Sequence, residues 1–267
     1  MSPAQVKFDT RAKKINSLLC VGLDTDIAKI GAEFRGKDYP QFEFNKHIID
    51  TTAPYAAAFK PNAAFYEARG VEGWRELAMT IDYIRSEYPD IFTILDAKRG
   101  DIGNTNQGYV TSIFDEMGFD AVTLNPYMGR EALKPFLERE DKVSIILCRT
   151  SNDGAGEFQD LKAGTEPVFM RVARRVTDAW NEKGNCMLVV GATKPAELRM
   201  VRDLVGDMTI LVPGIGTQGG EVEDVVHAGL NKEKLGLVVA VSRSLIYAES
   251  PLEEAKAIVE EINASRK

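Results

Sequence analysis

Apolar residues gather in short, nearly unbroken runs separated by longer amphipathic stretches. The runs are 18–23 (LLCVGL), 56–59 (AAAF), 91–95 (IFTIL), 121–124 (AVTL), 143–148 (VSIILC), 186–190 (CMLVV), 209–212 (TILV) and 237–241 (LVVAV). A run that is apolar at consecutive positions suits a strand buried on both faces, as in a parallel sheet covered by its own crossover helices. Helical periodicity fills the intervals. In 105–118, Val110, Ile113, Phe114 and Met117 recur at i, i+3, i+4 and i+7 and predict one buried helix face. Ser250-Pro251-Leu252-Glu253 has the form of a capping box with proline at the first helical position, so the last helix is expected to start there. Eight strands alternating with helices predict an α/β fold, a (β/α)8 TIM barrel, with a doubly wound open sheet as runner-up. No linker, low-complexity tract or charge block divides the 267 residues, so one barrel domain over 1–267 is expected. One connection is long: the polar, glycine-containing stretch 151–167 after the fifth run predicts a mobile loop over a ligand rather than a packed segment.

Composition narrows the function classes. Hydrophobic residues at 44% and charged residues at 27% supply a sizeable core and exclude a disordered or collagen-like chain. The net charge of −7 repels phosphate backbones and anionic lipid, so neither nucleic acid nor membrane is an expected partner. A local basic pocket for a small anion is still compatible with it. Cys20, Cys148 and Cys186 are too few and scattered for a disulfide framework. With only His47 and His227 beside them, a zinc cluster has almost no ligands to draw on. Both histidines fall in helical patterns and read as surface or packing residues, and Trp74 and Trp180 read as helix–barrel packing. No apolar stretch reaches the roughly 18 residues of a membrane span, and the first residues lack a secretory apolar core, so a cytoplasmic location is expected.

The polar residues that matter end the apolar runs. Asp24, Lys60, Asp96 and Lys98, Asn125, Thr150 and Ser151, Thr193, Gly214 and Gly216, and Arg243 all stand there. In a barrel these positions converge on the C-terminal mouth, where active sites form. Any one of them reads equally well as the solvated start of a loop. Asp96-Ala97-Lys98 together with Lys60 does not, because residues at i and i+2 share one face of a strand and would point into one mouth. DAKRGDIGNT, 96–105, places two carboxylates around a lysine, with Arg99 between. Flanking anions keep that lysine protonated, which makes it a poor nucleophile and a well-placed proton donor. Later, VPGIGTQGG (212–220) and VSRS (241–244) follow the seventh and eighth runs. Glycine backbones there can approach an oxyanion, and Arg243 can hold a phosphate with two parallel bonds.

DAKRGDIGNT matches the D-x-K-x-x-D-I-G-x-T signature of the orotidine 5′-phosphate decarboxylase family without a gap. VPGIGTQGG and VSRSLIY resemble that family's phosphate loops, and VGLD and FKPN its first two strand ends. FKPN, GNTNQGY and the Thr-Ser-Asn after the fifth run are most similar to the longer bacterial branch. The resemblance implies cofactor-free loss of CO2 from orotidine 5′-monophosphate to give uridine 5′-monophosphate, the last step of de novo pyrimidine synthesis. It implies that Lys98 protonates C6, that Asp96 faces the substrate carboxylate, and that Lys60 and Asp101 complete an alternating Lys–Asp–Lys–Asp chain. Asp24 and Thr105 would contact the ribose. Ser151 would read the pyrimidine edge, with Thr150 and Asn152 as alternatives. Gln218, aligned through the glycines of its loop, and Arg243 would hold the phosphate. The resemblance further implies a homodimer in which Asp101 enters the neighbour's site, and a two-sided lid at 151–167 and 214–224. No metal is expected. Two other readings share parts of the pattern: a Mg²⁺-dependent sugar-phosphate decarboxylase or synthase of the same superfamily, and a non-catalytic phosphoribosyl-ligand sensor. The I-G-N-T tail after Asp101 argues against the first, and a complete Lys–Asp set, which a sensor does not need, against the second.

Overall fold

A computed structural model describes residues 1–215 and 221–267. The strands are β1 (Leu19–Gly22), β2 (Ala58–Lys60), β3 (Phe92–Arg99), β4 (Ala121–Leu124), β5 (Val143–Arg149), β6 (Cys186–Val190), β7 (Ile210–Pro213) and β8 (Leu237–Val241). They close a parallel barrel in which each strand pairs with its chain neighbours and β8 pairs with β1. Closure settles the choice between a (β/α)8 barrel and an open sheet. Each predicted run overlaps one strand, and the strand that starts at Phe92 continues four residues past its run, to Arg99. β1, β6 and β8 are buried along their whole length, since the barrel interior fills one face and helices cover the other. The helix Pro3–Lys14 lies across the N-terminal end, where Phe8 meets Phe92 and Gln5 bonds Thr209 just before β7. That end is therefore occupied by structure, and the opposite mouth is left for chemistry.

Three local expectations need amendment. The helix expected over 105–118 begins at Gly103 and changes at Thr111 into a π-helical segment, Thr111–Glu116. Val110, Ile113 and Phe114 are buried as predicted, but the wider turn lets Met117 N–H reach back to Ser112 O and leaves Met117 only partly buried. At the last helix, Pro251–Ser265, Ser250 Oγ accepts from Glu253 N–H as expected of its cap. The connection 151–167 is not a plain loop. It holds a helical turn, Gly156–Gln159, and a small hairpin pairing Lys162–Ala163 with Glu166–Pro167. Gln159 and Asp160 tie it to Thr150 and Arg149 at the end of β5. Gly154 and Gly164 take left-handed backbones at its turns. On the other side of the mouth, residues from Val222 onward already belong to the helix Val222–Gly229.

Candidate active site

The site is built on an irregularity at the end of β3. Leu95 pairs with Val122 and Arg99 with Leu124, so Asp96, Ala97 and Lys98 oppose Thr123 alone. The extra residues bulge, and Lys98 takes a left-handed backbone with φ +47°. Such a conformation costs a non-glycine residue about 1–2 kcal/mol and persists where its surroundings impose it. Thr123 does so here. Its Oγ1 accepts from Lys98 N–H at 2.9 Å and donates to Asp96 Oδ1 at 2.8 Å. On the other flank Asp96 N–H donates to Pro61 O at 2.9 Å. Asp96 and Lys98 thus meet, as the spacing suggested, but through a stitched bulge rather than the pleat of a regular strand.

Charge is concentrated on one carboxylate. Lys60 Nζ lies 3.1 Å from Asp96 Oδ2 and Lys98 Nζ 2.7 Å from Oδ1. Burial alone would raise the Asp96 pKa, but the Lys60 and Lys98 ammoniums outweigh it and hold the carboxyl well below the usual range. Burial likewise works against the Lys60 charge, and the Asp96 and Asp24 carboxylates reverse that and leave its pKa above the ordinary lysine value. The two lysines differ in reach: the Lys60 side chain is 5% exposed and that of Lys98 47%. Arg99 points away, paired with Glu67 and lying over the Tyr109 ring.

Above this chain opens a cavity of about 420 Å³. Strand residues such as Val189, Leu211 and Ala240 supply its apolar lining. Asp24, Ser151, Gly214 and Arg243 stand around it past the strand ends. Asp24 Oδ1 is buried with no hydrogen bond among the described residues. Arg243 opens the short helix Arg243–Ile246 and is exposed, without an ion pair among the described residues. Ser151 sits against Gly191, where a Cβ would come within 2.6 Å of the serine Cβ. Thr150 Oγ1 accepts from Gln159 and donates to Asn152 Oδ1, so both neighbours of Ser151 are engaged within their own segment.

Lys60, Asp96, Lys98, Asp24, Ser151 and Arg243 therefore meet around one cavity. Asp101 and Thr105 do not line it. Asp101 Oδ1 accepts from Ile102 N–H, and its backbone is pinned by the Asn106 amide. Thr105 is exposed on the helix Gly103–Val110. Gln218 and Gly216 lie outside the described residues. Asn125 and Thr193 also stay off the cavity, and Asn125 caps the turn Pro126–Met128. Sequence reasoning missed Thr123, which its AVTL run treats as plain strand, and Asn62, which lines the cavity from the end of FKPN. A hydroxyl in an otherwise apolar run, one residue from the strand end, was the available signal for Thr123. Burial pushes the Cys20, Cys148 and Cys186 thiols each up to about 12, which disfavours the nucleophilic thiolate. His47 and His227 are exposed, as expected.

Comparison with known proteins points to one family. Residues 17–258 match the orotidine 5′-phosphate decarboxylase / HUMPS family. An orotidine 5′-phosphate decarboxylase of Christiangramia forsetii is 48% identical over 235 residues, covering 88% of this chain and 86% of that protein. One from Porphyromonas gingivalis is 48% identical over 244 residues, 91% of this chain and 87% of that one. Among solved structures, an OMP decarboxylase of Leishmania donovani superposes with a TM-score of 0.89 at 41% identity, covering 100% of this chain and 99% of that one. A UMP synthase of the same organism matches with a TM-score of 0.90 at 42% identity, and this chain, covered in full, spans 57% of its length.

Proposed function

The chain belongs to the orotidine 5′-phosphate decarboxylase / HUMPS family, and from that premise we propose that its barrel mouth converts orotidine 5′-monophosphate to uridine 5′-monophosphate and CO2. The observation that carries this reading is the Lys60–Asp96–Lys98 chain, with Lys60 and Asp96 buried and Lys98 reaching up, beneath a cavity of about 420 Å³. When the C6–carboxylate bond breaks, CO2 leaves and the electron pair stays on C6, in the ring plane. Lys98, the more exposed ammonium, is aimed from the bulge to stabilise that charge and transfer its proton to C6. It regains a proton from water. The group is in place before the reaction begins, which is where electrostatic stabilisation gains most. Asp96 faces the carboxylate of the bound substrate, and that repulsion vanishes as CO2 becomes neutral. Lys60 keeps Asp96 ionised from below. Asp24 takes the ribose hydroxyls, Ser151 the pyrimidine edge and Arg243 the phosphate, with Gln218 assigned beside it by resemblance. Binding energy from the remote phosphate then serves to organise the site.

The working unit on this reading is a two-fold dimer. Asp101 and Thr105 lie off their own cavity, and the adjoining Ile102, Tyr127 and Met128 are exposed apolar side chains, Tyr127 at 89%. A two-fold axis there brings the same loop of each chain to the other's mouth. Mixing inactive Lys98→Ala and Asp101→Ala chains should then restore roughly a quarter of wild-type activity, because half the dimers gain one intact site. A mixture that stays inactive after confirmed subunit exchange overturns the shared site.

The activity itself is tested by the loss of near-UV absorbance of orotidine 5′-monophosphate on adding the protein with a chelator present. Turnover that persists supports a metal-independent decarboxylase. A strict requirement for Mg²⁺ would move the assignment to the sugar-phosphate enzymes of the superfamily.

A further inference from the structure

Behind the end of β1 lies a polar cluster that the reaction scheme does not use. Gln41, Asn45, Tyr66, Glu76 and Thr80 come from the helices Pro40–Thr52, Ala63–Glu67 and Gly70–Glu87, and all five are buried. Burying polar side chains is costly unless they bond one another. Asn45 Nδ2 donates to Tyr66 Oη at 2.9 Å and to Thr80 Oγ1 at 3.1 Å. Arg69 joins Gln41 to Glu76, with bonds of 2.9 and 2.5 Å. Apolar residues of the same shape would fill this space at lower cost, so what the cluster does toward the barrel matters.

Its bonds toward the barrel fall on one segment. Tyr66 Oη donates to Leu23 O at 3.0 Å. Gln41 Nε2 donates to Thr25 O at 2.9 Å, and Thr25 Oγ1 donates to Asn45 Oδ1 at 2.5 Å. Tyr247, which follows β8 and stacks on Phe44, accepts from Asp26 N–H at 2.7 Å and donates to Asp24 O at 3.5 Å. Residues 23, 25 and 26 are held, and the one between them is Asp24, whose Oδ1 is buried beside the cavity without a hydrogen bond among the described residues. A residue just past a strand end has soft backbone angles, and a group that must meet two hydroxyls needs placement within about 0.5 Å.

We infer that Gln41, Asn45 and Tyr66, with Tyr247, are positioning residues that set the Asp24 carboxylate for recognition of the sugar hydroxyls. The inference rests on the reading of Asp24 as the ribose contact, and the test separates the two. kcat/KM is measured for orotidine 5′-monophosphate and for its 2′-deoxy and 3′-deoxy analogues. The variants are Asp24→Asn, Tyr66→Phe, Tyr247→Phe and the double variant Asp24→Asn/Tyr66→Phe. Asp24→Asn should lower the preference for the ribonucleotide by about tenfold, the scale of a lost charged hydrogen bond. Tyr66→Phe and Tyr247→Phe should each lower it by about threefold, through KM, and Tyr66→Phe should add nothing in the Asp24→Asn background. If Asp24→Asn erodes the preference while both tyrosine variants keep it, the positioning role is overturned and Asp24 stands. If Asp24→Asn leaves the preference intact, the ribose reading falls and the inference with it. A Tyr66→Phe protein that loses thermal stability and slows all three substrates equally also overturns it. Should Tyr66→Phe not fold, Tyr247→Phe, at the half-buried edge, decides the matter alone.

Discussion

On the β2–β3 side of the mouth, the Lys60 and Lys98 ammoniums lie 3.1 and 2.7 Å from the two oxygens of one buried carboxylate. On the β8 side, Arg243 stands exposed with no ion pair among the described residues. The first group is electrostatically complete before any ligand arrives, and Thr123 and a strained Lys98 backbone hold it so. On the proposed reading the second takes its counter-charge from the phosphate that binds. The difference separates two tasks. A charge that must act on a transition state gains most when it is fixed in advance. A charge that captures a ligand must keep its bonding capacity open, and what it contributes is binding energy.

That contrast can be broken by substitution. The largest effect belongs to Lys98→Ala, which should slow decarboxylation by about three orders of magnitude or more while changing uridine 5′-monophosphate affinity little. Turnover by absorbance and affinity by calorimetry check it, and a rate within about tenfold of wild type would sink the proton-donor role. Arg243→Ala should weaken orotidine 5′-monophosphate on the order of a hundredfold, the loss of two charge-assisted bonds. The slow reaction of unphosphorylated orotidine should be unchanged, whereas equal losses on both substrates would place Arg243 elsewhere. Gly191→Ala sharpens the comparison at Ser151, the proposed pyrimidine contact. Its Cβ would come within 2.6 Å of Ser151 Cβ and 2.9 Å of Ser151 N, so KM should rise and stability fall by about 1–3 kcal/mol. An unshifted KM would detach Ser151 from substrate binding.

The smallest effect is a pH dependence. The Asp96 pKa is depressed on folding below its ordinary 3.8, so its ion pairs stabilise the fold above that value and lose their contribution as pH falls through the folded value. Wild type should therefore exceed Asp96→Asn in stability near neutral pH, and on the acid side that margin should begin to close only below 3.8. Chemical unfolding across pH measures it, and a margin already closing near neutrality would contradict the assigned direction.

Much of this was present in the linear sequence. Eight doubly buried strands announced themselves as apolar runs, because a strand covered on both faces needs apolar residues at successive positions. Asp24, Lys60, Asp96, Lys98 and Arg243 were legible as a group because so many polar residues end the buried strands, and a barrel gathers strand ends at one mouth. Tertiary structure decided the rest. No local pattern shows that three residues of β3 face one of β4, since a bulge depends on the register with a strand some 25 residues away. The small hairpin at 162–167 is made by pairing within a stretch whose composition reads as loop. The buried cluster around Asn45 joins three helices to the segment just past β1, and a polar residue on a helix declares its partner only once the helices are packed. Sequence determined which chemistry the chain carries, because that is set by residue type and by spacing along one element. Structure decided which of those groups meet and which are held still, because hydrogen-bond partners across elements are chosen by the fold.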